Sequence, residues 1–396
     1  METGVNLLKI YGKQEPSYYA GDELHRAKRE KLTQVMAKYK LDALLLFKSE
    51  AVRYVTDFYV KGFRPFMDLE YFAIVPREGE IFVGYSSGSD TFRIQIRSDI
   101  KESAKVGDER TWAQTIADVL KGKRLEAGCI GSDLLHFSIY LGLKERLPKA
   151  EFVDASDIWV DLTVVKHPRE VEILKQCQRI VDQGLNAATD FVKPGLVERE
   201  VAAHAEYVMR KAGSEMNPFI PVISSGMNAA IFERINTEKV IQAGELVVMD
   251  MGCVYKGYTG DGGRTVIAGE PTKKQREVFR VGYQALRAAI EAVKPGVTCH
   301  DVDMAAREVI RKAGYGKYES RFSTGHQLGY GLHGKPSVNT GVNFVLVPNM
   351  VLALEPRVTL YDDPATGGVH MEDVVVVTET GHEVISHARF DPKLLT

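Results

Sequence analysis

The chain has 396 residues, 44% hydrophobic and 26% charged, which describes an ordinary globular protein long enough for two cores. Its 51 Lys and Arg against 53 Asp and Glu leave a net charge of −2, so there is no positive surplus for nucleic acid or an anionic membrane, and a small soluble substrate is favoured. No apolar run approaches the roughly 20 residues of a spanning helix, and the start Met1-Glu2-Thr3-Gly4 lacks the pattern of a signal peptide, so the expected location is cytoplasmic.

From Asp22 to Lys40 the apolar spacing is helical, and Leu41 to Phe47 reads as a buried strand. Tyr71–Val75 and Ile81–Tyr85 flank Pro76-Arg77-Glu78-Gly79-Glu80, a hairpin signal. A helix near Trp112–Lys121, a strand near Cys129–Ser132, a helix near Ser138–Arg146 and a short strand near Phe152 follow, which makes an α/β domain of residues 1–165. Its histidines, His25 and His136, stand apart from any ligand cluster. The four cysteines, Cys129, Cys177, Cys253 and Cys299, form no short-spaced pair, which argues against both disulfides and a zinc-thiolate site.

A second domain, residues 166–396, begins where Pro168 and the acids Glu170 and Glu172 open a long amphipathic helix. It contains a repeat. Lys193-Pro194-Gly195 precedes a helix ending at Gly213 and Lys294-Pro295-Gly296 precedes one ending at Gly314, with 18 residues from Gly to Gly in both. Ser224-Ser225-Gly226 answers Ser323-Thr324-Gly325, and Gly244 stands six residues before Asp250 as Asn349 stands six before Glu355. Gly and Asn most readily take φ > 0, so both positions read as the same turn before the same strand, and Asp250 corresponds to Glu355. Two α/β halves about a pseudo-two-fold axis would bring these carboxylates together.

Within the first half, Val247 to Asp261 reads as a β-hairpin with Lys256-Gly257 at the turn. A turn centred between Tyr255 and Lys256 would set Asp250 directly opposite Asp261. Like charges on facing positions destabilise a sheet, so this pair asks for a cation. Downstream, Glu355 ends the apolar strand Val351–Leu354 and Glu372 starts the run Val374–Val377, where bare carboxylates would be costly. Gly325-His326 and His333 lie between Asp261 and Glu355 in the chain.

These motifs resemble the pita-bread metallopeptidases: Xaa-Pro aminopeptidase, prolidase and methionine aminopeptidase, with creatinase as a metal-free relative. The run Asp250, Gly252, Cys253, Tyr255, Lys256, Gly257, Tyr258, Gly260, Asp261, Arg264 and Thr265 fits the aminopeptidase P pattern without a gap, and residues 1–165 resemble the creatinase-type N-terminal domain. The resemblance implies five metal ligands, Asp250, Asp261, His326, Glu355 and Glu372, holding two divalent ions. Mn²⁺ or Co²⁺ come first and Zn²⁺ or Fe²⁺ next, since the set is rich in oxygen. It further implies a metal-bridging hydroxide as nucleophile, Glu355 as proton shuttle, His333 as a contact to substrate and oxyanion, and a homodimer.

Five positions depart from that pattern. Glu233 stands where the peptidases carry a histidine, which makes it a candidate contact for a cationic or amino-bearing group of the substrate, or a second base. His370 takes the place of the arginine in the Arg-x-Glu pattern, as a candidate substrate contact or a residue that orients Glu372, and Arg357 stands where glycine is usual. Phe322 replaces a further histidine, and Gly334 replaces an acid after His333. The expected activity is Xaa-Pro peptidase action on short peptides, of aminopeptidase P or prolidase type. The alternative is a small-molecule C–N hydrolase or C–S lyase resembling creatinase, ectoine hydrolase or dimethylsulfoniopropionate lyase.

Overall fold

A computed structural model describes residues 20–58, 70–95, 100–107, 109–231 and 235–396. They divide into one unit ending at Leu162 and another beginning at Thr163.

In the first unit the stripe Leu24, Leu32, Val35 and Met36 is the buried face of α1 (Asp22–Lys38), as its helical spacing requires. Strands β1 (Ala43–Leu46), β2 (Tyr71–Pro76), β3 (Phe82–Tyr85), β4 (Glu102–Lys105), β5 (Cys129–Ser132) and β6 (Glu151–Asp154) form one mixed sheet in the order β4-β3-β2-β1-β5-β6. Helices α2 (Ser49–Thr56), α3 (Gly88–Gln95), α4 (Glu109–Gly122), α5 (Phe137–Arg146) and α6 (Ile158–Thr163) complete the unit. Trp112, Ile116 and Leu120 of α4 and Ile139 and Leu143 of α5 share a core with Phe47, Phe72 and Ile130. The expected helix and strand positions hold to within a few residues. Four elements escaped: α2, α3 and α6 are short, and β4 is an edge strand whose Glu102 and Lys105 hide the apolar alternation.

The second unit opens with α7 (Pro168–Phe191), with Pro168 in its first turn; Glu170 accepts the His167 backbone N–H at 2.8 Å while His167 Nδ1 accepts from Arg169 N. Then come α8 (Glu198–Lys211), β7 (Val222–Ser225), β8 (Glu245–Tyr255), β9 (Tyr258–Ala268), α9 (Lys273–Ala292) and α10 (Cys299–Lys312). The remaining elements are β10 (Gly325–Gly329), β11 (Gly331–Val338), β12 (Val351–Leu354), β13 (Arg357–Thr359), β14 (Gly368–His370), β15 (Asp373–Val377), β16 (His382–Val384) and α11 (Pro392–Leu395). Sheets β7-β8-β9 and β11-β10-β12-β15-β16 belong to the two halves, with β13–β14 as a separate ribbon.

The repeat is visible in the backbone. Helices α8 and α10 each have 14 residues. Gly195 and Gly296 before them, and Gly213 and Gly314 after them, all take positive φ, as do Gly244 at 83° and Asn349 at 65°. The short bridges Val197–Val240 and Thr298–Val345 also recur in both halves. This is an α/β unit followed by an α+β unit of two repeated halves.

The β8–β9 hairpin corrects the expected register. Lys256 and Gly257 both have positive φ, 53° and 81°, and form a two-residue turn that pairs Tyr255 with Tyr258. The centre therefore falls between 256 and 257. Asp250 opposes Gly263, and Asp261 opposes Gly252, so the two acids are diagonal neighbours on one face.

Candidate metal centre

Each candidate residue is delivered by a different strand or strand end. Asp250 lies mid-way along β8, paired with Val222 of β7 on one side and Gly263 of β9 on the other. Asp261 sits on β9 and His326 on β10. Glu355 directly follows β12, where its N–H donates to the Thr324 carbonyl at 2.7 Å. Glu372 lies between β14 and β15, and its N–H donates to the Gly263 carbonyl at 3.0 Å, which stitches the first half to the second.

All five line one cavity of about 300 Å³, together with His333, Arg357 and the apolar side chains Phe219, Ile220, Val222, Ile235 and Leu332. His326 Nε2 stands 3.6 Å from Asp261 Oδ2 and 3.7 Å from Glu355 Oε1. Its Nδ1 faces the Gln327 carbonyl at 3.2 Å and must donate to it, so Nε2 carries the lone pair into the cavity. His370 Nε2 stands 3.5 Å from Asp250 Oδ2 and 3.7 Å from Glu372 Oε2. Among the described residues, two sets offer three donor atoms within 4.8 Å of one another: Asp250, His370 and Glu372, and Asp261, His326 and Glu372.

The electrostatics ask for positive charge. Burial, reinforced by Asp250 and Glu355, pushes the Asp261 carboxyl well above the usual range, and burial together with Asp261, Glu355 and Asp250 does the same to Glu372. Glu372 Oε1 is buried without a hydrogen-bond partner among the described residues. Burial lowers the His326 imidazole, and burial with Arg357 and Arg264 nearby takes His370 well below its ordinary range, so both rings are neutral. Neutral imidazoles among clustered acids with an orphaned oxygen are a donor set that fits divalent ions.

Arg357 is the site residue that sequence reading treated only as a departure. Its Nη2 donates to Glu355 Oε2 at 2.6 Å and approaches Asp250 Oδ2 at 3.4 Å. Burial opposes its charge, but Glu355 and Asp250 outweigh that and hold the guanidinium protonated. The signal was its place two residues after Glu355, on a strand whose pairing the sequence does not reveal. Gly334 also has a local cause: a Cβ there would fall onto the Gln327 side-chain oxygen. His333 is exposed at the cavity, its ring 4.6 Å from that of His326. His370 is only 3% exposed, Phe322 is exposed, and Glu233 lies outside the described residues.

Residues 172–379 match metallopeptidase family M24, and residues 28–165 match the Creatinase/Prolidase N-terminal domain. The chain belongs to metallopeptidase family M24. This M24 chain is 37% identical over 247 residues to the Xaa-Pro dipeptidase of Pyrococcus furiosus, covering 62% of the chain and 70% of the relative. It is 30% identical to that of Pyrococcus horikoshii, over 91% of the chain and 96% of the relative. Among solved structures it superposes on the Xaa-Pro dipeptidase from Bacillus anthracis with a TM-score of 0.80 at 28% identity, covering 93% of the chain and 99% of that protein. Among the described residues of the M24 chain, no helix is long and apolar enough to cross a membrane.

The M24 site is held rigidly from behind. Arg264 on β9 donates to Asp373 Oδ1 at 2.7 Å, to the carbonyls of Glu372 and Ala388, each at 2.7 Å, and to that of Gly263 at 2.8 Å. It therefore ties β9 to the start of β15, and so fixes the backbone that carries Asp261 and Glu372.

Proposed function

We propose that this chain is a metal-dependent Xaa-Pro peptidase, of prolidase or aminopeptidase P type, in which Asp250, Asp261, His326, Glu355 and Glu372 hold two divalent ions. The observation that carries the reading is the lining of a single cavity by all five side chains, with an apolar wall of Phe219, Ile220, Val222, Ile235 and Leu332. Such a wall suits the uncharged prolyl ring of a short peptide. The names of the relatives, Xaa-Pro dipeptidases, support the same choice. Mn²⁺ or Co²⁺ as resident ions and a homodimer belong to this reading and rest on the family resemblance, while a cytoplasmic location and a domain boundary at 165/166 belong to it on the sequence patterns alone.

When bound, the ions would make water a nucleophile near neutral pH and polarise the scissile carbonyl. The chain's own groups would do the rest. Glu355, steadied at Oε2 by Arg357, presents Oε1 on the His326 side and is placed to carry a proton to the leaving nitrogen. His333, exposed at the cavity, offers a ring N–H to the developing oxyanion. Glu233 retains its proposed role as the contact for a cationic or amino-bearing group.

The test is a panel of Xaa-Pro dipeptides and tripeptides offered to chelated enzyme with Mn²⁺ or Co²⁺ restored. Turnover only when metal is added is expected, with preference between two and three residues separating prolidase from aminopeptidase P. Failure on every peptide in the panel would reject the peptidase reading and favour the small-molecule alternative.

A further inference from the structure

His370 stands where the resemblance places an arginine, a residue that cannot ligate a metal. In this chain its imidazole is 3% exposed, and neither ring nitrogen has a hydrogen-bond partner among the described residues. Nε2 is aimed at two carboxylates but stops 3.5 Å from Asp250 and 3.7 Å from Glu372, too far for a hydrogen bond to either. Two donors that share one ion at about 2.1 Å, with an angle between tetrahedral and trigonal, lie about 3.4–3.6 Å apart. The spacing around His326 is the same, 3.6 Å to Asp261 and 3.7 Å to Glu355.

The pose is built into the fold. Asp250 opposes Gly263 on β9, and a Cβ at 263 would fall onto His370 Nε2, so the glycine leaves the space that the ring fills. The Thr265 hydroxyl accepts the His370 N–H at 2.9 Å and donates to the His370 carbonyl at 2.8 Å, which fixes the backbone behind the ring. Arg357 is the cross-strand partner of His370 in β13–β14. A guanidinium thus reaches the acids from the opposite strand and supplies positive charge without occupying position 370.

From this geometry we infer that His370 is a sixth metal-binding residue, ligating one ion through Nε2 together with Asp250 and Glu372, while His326 serves the other with Asp261 and Glu372. The inference rests on the reading of this cavity as a two-ion site. Each ion then has one imidazole, a donor set that moves preference away from Mn²⁺ and toward Co²⁺ and Zn²⁺.

The experiment titrates chelated full-length protein with Co²⁺ alone. It follows binding by visible absorption and counts the solvent-exchangeable imidazole N–H resonances that the ion shifts in the proton NMR spectrum. Wild type should take up two ions and give two such resonances, a count that needs no variant. His370→Ala and His370→Gln should each lose one resonance and weaken one ion by more than about 100-fold, beyond the 10–100-fold typical of a residue that only orients a ligand. The metal-free melting curve of each variant serves as the check on folding. A single imidazole resonance in wild type, or variants with wild-type spectrum and affinity, overturns the inference. His326→Ala separates the two claims: if it loses an ion while the His370 variants do not, the two-ion reading stands and His370 is not a ligand. If His326→Ala also changes nothing, both fail.

Discussion

Arg357 and His370 face each other across the β13–β14 ribbon, and both reach the same oxygen: Asp250 Oδ2 lies 3.4 Å from Arg357 Nη2 and 3.5 Å from His370 Nε2. Viewed in sequence, two positions depart from the family pattern independently, glycine to arginine and arginine to histidine. In the fold they are cross-strand partners, with the guanidinium on one strand and the imidazole on the other. Arg357 puts positive charge beside Asp250, and position 370 presents a neutral ring to the same oxygen.

Gly263 bears on that arrangement directly. Gly263→Ala would place a methyl on His370 Nε2 and force the ring away from Asp250. Overpacking of this kind costs about 1–3 kcal/mol, so a lower melting temperature and weaker Co²⁺ binding are expected together. Calorimetry and Co²⁺ titration of the variant check both, and unchanged values would mean that the ring has room to move.

Metal removal should destabilise the fold. Metal binds the folded site and not the unfolded chain, and without it Asp250, Asp261, Glu355 and Glu372 are opposed, among the described lining residues, only by the Arg357 guanidinium. Exhaustive chelation should lower the melting temperature of the second unit, and restored Mn²⁺ or Co²⁺ should recover it. A melting curve indifferent to chelation would count against a metal centre.

Glu198 at the start of α8 predicts a pH dependence remote from the cavity acids. It is fully buried and accepts from Ser225 N and Oγ, Asn228 Nδ2, and Thr237 N and Oγ1 at 2.6–3.2 Å. Burial alone would raise its pKa, but the hydrogen bonds from Thr237, Ser225 and Asn228 outweigh it and hold the carboxyl below its usual value. A depressed folded-state pKa means that the stabilisation is complete above the ordinary Glu value of about 4.3 and is lost as pH falls through the lower folded-state value. Glu198→Gln should therefore be less stable than wild type at pH 7, by about 1–3 kcal/mol, with the gap narrowing in acid. Melting curves at several pH values measure it; a gap constant with pH would assign the loss to packing alone.

Arg264 should be the least replaceable side chain behind the site. Its guanidinium is buried against Asp373, three different backbone carbonyls and, at 4.1 Å, the ring of Phe390. Arg264→Ala strands the Asp373 charge and those carbonyls, and breaking a buried pair in this way costs about 3–5 kcal/mol. Urea unfolding of the second unit tests the size of the loss. Arg264→Lys should recover only part of it, because an ammonium cannot present the same planar fork.

Much of the fold was legible because its signals are local. Helical periodicity marked the buried face of α1, and Pro168 with Glu170 marked the entry to α7. The matched Gly and Asn positions marked the repeat, since positive φ restricts which residues can stand there. The short elements α2, α3 and α6 escaped because a turn or two of helix carries too little periodicity to read. The edge strand β4 escaped because Glu102, Ser103 and Lys105 leave it no apolar alternation to read.

The site divides along the same line. Residue type and spacing, read with the family resemblance, were enough to single out Asp250, Asp261, His326, Glu355 and Glu372, because acids that border apolar strands are costly wherever the strands lie. Sequence was also enough to mark 357 and 370 as unusual. It could not pair them, nor put Asp250 opposite Gly263, because ladder register depends on where a turn is centred and which strands become neighbours. A shift of one residue in the β8–β9 turn centre moved Asp261 from facing Asp250 to a diagonal seat. In the folded chain an imidazole fills the vacated position beside Asp250.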